Sequence, residues 1–129
     1  MTGIAWTIHG VHYPLFVHVA DDRWGAFHAE HSRRITRVVG VPWAVEGLTT
    51  AALLVARPAG VAWWPIAVIA LCAATTVVAT ITLAIPVHQR LAAGPDVNLV
   101  RRLVATGWVR TLAWTADGVI TAFVVLHRG

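Results

Sequence analysis

Apolar residues dominate four stretches of this chain, and in none of them do they alternate with period two. Between Arg57 and His88, thirty consecutive residues carry no formal charge. Met1–Ala20 holds no Asp, Glu, Lys or Arg, Val38–Ala56 holds only Glu46, and Leu103–Leu126 holds Arg110 and Asp117. About 20 apolar residues suffice for a helix to cross the hydrocarbon core of a bilayer. A spanning segment has no water to satisfy its peptide groups, so it must be a helix or part of a closed barrel, and continuous apolar runs select helices. The pattern predicts an all-α integral membrane protein: an antiparallel up-down bundle of four transmembrane helices over about 4–19, 38–56, 61–87 and 103–126. An amphipathic approach helix over about 24–37 leads into the second span, and residues 1–129 make one four-helix domain.

Local signals refine these elements. Pro14 is tolerated near the end of the first span, Gly40 and Pro42 predict a kink in the second, and Pro86 bends the end of the third. Trp63 and Trp64 open the third span as an interfacial aromatic belt. Gly94-Pro95-Asp96 marks a turn, with Asp96 or Asn98 placed to cap the fourth helix.

Composition agrees: 57% hydrophobic residues, 12% charged and a mean hydropathy of +0.68 argue against a soluble domain. The first run lacks a basic leader and a small-residue cleavage site, so it is expected to be a mature span and not a signal peptide. One cysteine, Cys72, excludes an internal disulfide and a cysteine-based metal cluster; it reads as a small packing residue. All ten cationic side chains are arginines. Arg23, Arg33, Arg34 and Arg37 lie between spans one and two, and Arg90, Arg101 and Arg102 between spans three and four. Arg57 and Arg128 fall on the opposite side. The positive-inside rule puts the seven-arginine side in the cytoplasm and both termini outside. Topology thus accounts for a pI near 11, and no nucleic-acid partner is implied.

Ionisable residues within a bilayer are costly and usually face the bundle interior. Glu46 lies nine residues beyond Arg37, about 13 Å deep, and Arg110 eight beyond Arg102, about 12 Å deep. The two are expected to meet, as a structural ion pair, as the polar wall of a substrate cavity, or both. Asp117 shares a face of its helix with Arg110 and Trp114. Trp43, Trp108 and Trp114 would line a pocket for a flat, lipophilic ligand. Thr75, Thr76, Thr80 and Thr82 are expected to serve as hydrogen-bonding glue between helices.

The histidines gather toward the cytoplasmic end. His9 and His12, like His28 and His31, are three apart and share helix faces, and His88 ends the third span. Imidazole is a common ligand for copper, iron, zinc or haem, which makes His31 and His88 candidate metal ligands. His18 and His28 read as interfacial and His127 as a surface residue. The expected division is an inner group of His12, Glu46 and Arg110 and an entrance group of His31 and His88.

Ile85-Pro86-Val87-His88-Gln89-Arg90-Leu91, followed by Trp108-Val109-Arg110-Thr111, resembles the second half of the small four-helix anthrone-oxygenase-like membrane proteins. His12-Tyr13-Pro14-Leu15-Phe16 and His31-Ser32-Arg33-Arg34 resemble bacterial relatives of unassigned function. The resemblance implies a bacterial inner-membrane protein that oxidises a polycyclic aromatic or related small molecule. In that reading His12, Glu46 and Arg110 carry the chemistry, and Trp43, Trp108, Trp114, Asp117 and Thr111 hold the substrate. Two further readings stay open: a non-catalytic subunit of a larger membrane complex or homo-oligomer, and a proton-coupled carrier that uses Glu46, Asp117 and His12 as relays.

Overall fold

A computed structural model describes residues 1–127; Arg128, assigned above to the outer side, lies outside the described residues. Among the described residues all regular structure is helical. Three helical segments, Asp21–Val55, Trp63–Leu91 and Val97–Leu126, are long and apolar enough to cross a membrane.

The N-terminal stretch is helical but broken into pieces. Helix α1 (Thr2–Thr7) passes into a widened π turn at Ile8–His12 and then a tight 3-10 segment at Pro14–His18. Proline has no N–H and its ring collides with the carbonyl four residues back, here that of Gly10. The turn before Pro14 widens, so the Tyr13 N–H reaches back to the Ile8 carbonyl at 2.9 Å. The expected continuous first span is therefore a jointed one.

The approach helix and second span are a single element, α2 (Trp24–Val55), which continues across Pro42. Its 32 residues measure about 48 Å, so it outreaches a hydrocarbon core of about 30 Å. The surplus carries Glu30, Arg33, Arg34 and Arg37. Glu30 bonds Arg33 at 2.6 Å and also pairs with Arg34, all on an exposed face. A short turn follows, in which Gly60 takes φ +78, a conformation open to glycine at little cost. Beside it the Arg57 guanidinium donates to the Val61 carbonyl and lies 5.2 Å from the Trp63 ring centre.

Helix α3 (Trp63–Ala79) runs through a second π turn, Thr80–Ala84, into α4 (Ile85–Leu91). Pro86 stands just after that turn as Pro14 stands after the first. Helix α5 (Val97–Leu126) starts at Asp96, whose Oδ1 accepts from Asn98 N at 2.7 Å and Leu99 N at 3.1 Å. Of the two candidate caps, Asp96 is the one used.

Helix α3 packs along α5, whereas α2 leans mainly on α3. The tightest core sits at one end and joins Tyr13, Phe16 and Trp24 to Ala84, Val87, Leu91, Val100 and Leu103. The Trp24 indole donates to the Leu91 carbonyl at 2.7 Å, beside the Gly94 N–H that reaches the same oxygen at 3.3 Å. Outside this core Ile66 and Ile69 are buried, but many large apolar side chains point outward: Leu48 is 73% exposed, Leu126 76% and Val55 89%. The threonines expected to bridge helices mostly do not. Thr75, Thr80 and Thr82 donate to the carbonyl four residues back in their own helix. Thr76 alone of the four reaches another helix, accepting from the Trp43 indole at 3.3 Å.

Candidate functional site

Because α2 stands off from α5, a cavity of about 710 Å³ opens between α2, the N-terminal stretch, α4 and α5. Along α2 it is lined by Gly25, His28, Ala29, Ser32, Ile35, Thr36, Val39, Gly40 and Trp43. These recur every three or four residues, so one face of α2 borders it for roughly 27 Å. The volume is in the range of small-molecule sites, and the walls are mostly apolar with polar groups near each end.

Four imidazoles and a phenol meet at one end. Nε2 of His12 and Nδ1 of His31 share a hydrogen bond of 2.8 Å. Tyr13 Oη lies 3.3 Å from His88 Nε2, and His88 Nδ1 lies 3.5 Å from His28 Nε2. The rings of His31 and His88 are 5.5 Å apart and 23° from parallel. Both π turns serve this meeting: one sets the register of His12 and Tyr13, the other that of His88. Phe16, Phe27 and Trp24 wrap the imidazoles edge-on and in stacks. His31 Nε2 is buried with no hydrogen-bond partner, and His31 lines the cavity. The His12–His31 hydrogen bond fixes the orientation of the His31 ring at the cavity wall.

The metal expectation does not fit this geometry. His31 Nδ1 is engaged by His12, and His88 Nδ1 lies 3.5 Å from His28 Nε2. Among the described residues no group of three or more His, Cys, Asp or Glu side chains is arranged to hold a metal ion. His31 and His88 thus belong to a hydrogen-bonded imidazole network.

Near the other end Glu46 does not meet Arg110. Its Oε2 accepts from the Trp114 indole at 2.8 Å, one turn farther along α5. Trp114 in turn packs edge-on against Trp43, with ring centres 6.0 Å apart. Asp117 Oδ1 is buried with no hydrogen-bond partner. Ion pairs among the described residues are confined to Glu30 with Arg33 and Arg34. Arg110 is half-buried, lines the cavity, and makes neither a hydrogen bond nor an ion pair with the described residues.

Of the residues expected at the site, His31, His88, Arg110, Thr111, Trp43 and Trp114 line the cavity. His12 stands behind His31 and so joins the entrance group, not an inner one with Glu46. Glu46 borders a shallower recess between α2 and α3. Trp108 turns outward at 43% exposure and covers His9, its ring 4.3 Å away, while stacking edge-on with Trp6. His18 and His127 are exposed as expected.

His28, expected at the interface, is instead buried against His88. His9 is also buried and borders the cavity. It fits because position 107 is glycine: a Cβ there would come within 2.9 Å of His9 Nδ1. The i,i+3 spacing of His9 with His12 and of His28 with His31 was the available signal for both. Polar ties hold the first segment in place: Thr2 Oγ1 donates to the Trp114 carbonyl at 2.7 Å and the Trp6 indole to Thr115 Oγ1 at 3.0 Å. Comparison of the chain with known protein families, curated proteins and solved structures gives no match.

Proposed function

We propose that the chain is a multi-pass protein of a bacterial inner membrane that oxygenates a flat, lipophilic aromatic molecule in the α2–α5 cavity. Support for the membrane setting comes from three long apolar helices whose large aliphatic side chains face outward. In this reading the four helical segments run up and down across the lipid bilayer, with the arginine-rich turns in the cytoplasm and the termini outside.

The observation that carries the reading is the His31 ring at the wall of an apolar cavity, held by His12 through Nδ1, with its Nε2 free of hydrogen bonds to the described residues. Such an imidazole is placed to take a proton from an activated ring methylene, the kind of carbon found between two aromatic rings. His12 holds the His31 ring; Trp43 and Trp114 hold the substrate's faces, and Thr111 and Arg110 border its polar edge. The carbanion then gives an electron to dioxygen, the co-reactant, and the radical pair combines to a hydroperoxide protonated by the His31 imidazolium. Loss of the second methylene proton and cleavage of the O–O bond leave a ring carbonyl and one water. One methylene and one dioxygen are consumed, and no metal is required.

The test is dioxygen uptake by the purified protein with a tricyclic methylene substrate, read alongside the rise of quinone absorbance. Equal uptake by the wild type and the His31→Ala variant would overturn the reading. Uptake absent from both would leave a non-catalytic membrane subunit.

A further inference from the structure

We infer that Arg110 is the receptor for the anionic group of a small, flat lipophilic acid bound in the cavity with its rings toward Trp43 and Trp114. This rests on reading the cavity as a ligand site and adds the charge that its ligand carries.

A guanidinium keeps its proton at any physiological pH, so Arg110 cannot escape its surroundings by becoming neutral. Its α5 neighbours one turn to either side, Gly107 and Trp114, are both buried. A charge half-withdrawn from water between apolar helices is costly unless something balances it. The two carboxyl groups within the helical body do not. Glu46 is held by the Trp114 indole at 2.8 Å, and Asp117 is seven residues along α5, about 10 Å away in rise. His9 and His88 are within electrostatic reach of the guanidinium, but a neutral imidazole is no counter-ion and a protonated one would repel it. The Thr111 hydroxyl is turned back to the Gly107 carbonyl at 3.1 Å.

The cavity offers that charge a partner. Arg110 lines it with its donors free of acceptors among the described residues, and a planar guanidinium binds a carboxylate, sulfonate or phenolate through paired hydrogen bonds. Most of the remaining wall is apolar: Ile4, Ile8, Ile35 and Val39. One fixed positive charge in such a wall selects a molecule with one anionic group on an apolar body.

The test uses the full chain in discs of zwitterionic phosphatidylcholine and two fluorescent probes of nearly the same shape. Anilinonaphthalene sulfonate carries an anionic group; phenylnaphthylamine is its neutral parent. Binding is read by quenching of tryptophan fluorescence, with protein-free discs subtracted. The sulfonate is expected to bind roughly tenfold to a hundredfold more tightly than the neutral probe. Arg110→Gln should remove that preference and leave the neutral probe within about twofold, which also reports that the variant is folded. Should the Gln variant lose both probes, Arg110→Lys carries the test, since it keeps the charge and should keep the preference.

Equal binding of both probes by the wild type, or no preference in Arg110→Lys, would overturn the anionic ligand while leaving the cavity as a lipophilic site. Failure of both probes to bind the wild type would overturn the cavity reading itself. Displacement of the sulfonate by glycerol phosphate, a headgroup without a ring, would mark Arg110 as a lipid headgroup contact and overturn the inference.

Discussion

The histidine end and the carboxyl end of this molecule both bring polar side chains among apolar helices, and they do it by different means. At the histidine end the imidazoles are one another's hydrogen-bond partners, and aromatic rings from two elements press them together. At the carboxyl end Glu46 accepts from the Trp114 indole and meets the Asp117 side chain, whose Oδ1 atom has no hydrogen-bond partner among the described residues. The first arrangement is a packed cluster in which each group is held several times over. The second has the Trp114 indole as its one N–H donor to Glu46, so the loss of that donor is felt directly. Chemistry that needs a fixed, neutral base belongs at the first end, whereas the second fixes how α2 sits against α5.

The sharpest way to break this contrast is kinetic. His31→Ala should lower oxygenation by about 10²- to 10⁴-fold, the span of a lost general base, while Glu46→Gln should change it far less. Equal losses measured by dioxygen uptake would erase the division between the ends. Next in size is Trp24→Phe, which removes a buried indole and the shorter of the two hydrogen bonds to the Leu91 carbonyl. A loss of about 2–4 kcal/mol is expected in reversible detergent unfolding, because cavity and hydrogen-bond costs add.

Trp114→Phe should cost about 1–3 kcal/mol by stranding the Glu46 carboxylate, and Glu46→Leu on that background should recover part of it. Strict additivity in the double variant would show that the bond contributes nothing. The smallest effect is expected from Arg110→Leu. An ion pair with Glu46 would make this change cost about 3–5 kcal/mol, but an unpaired arginine makes it neutral within about 1 kcal/mol, or stabilising. A large loss on denaturant titration would restore the pair.

The three long helices were legible because apolar runs of that length with two charges or fewer have few other uses, and Asp96 was legible as a cap because Gly94-Pro95 ends what precedes it. The jointed first segment was less so. Pro14 announces a disturbance, yet whether the chain kinks, stops or widens a turn depends on what the freed groups pack against. Depth counting put Glu46 and Arg110 at one level, but residues one turn apart on α5 are only about 5 Å apart along the axis. That arithmetic cannot choose between Arg110 and Trp114, and the indole is the nearer donor. His28 looked interfacial because its partner His88 lies 60 residues away, a separation that no local pattern encodes. Gly107 gave no warning at all; only the approach of His9 explains it.

The paired π turns carry an implication for how such a cluster can come into being. A widened turn is an α-helix that has taken in one extra residue, and each added residue rotates everything beyond it by about 100°. Ile8–His12 and Thr80–Ala84 can therefore be read as two single-codon insertions, each beside a proline that makes the extra residue tolerable. Deleting one residue from either turn would restore ordinary helical phase and swing His12 or His88 away from its partners, leaving the helices intact and the cluster dispersed. A stable apolar bundle and one with a histidine network would then differ by two codons.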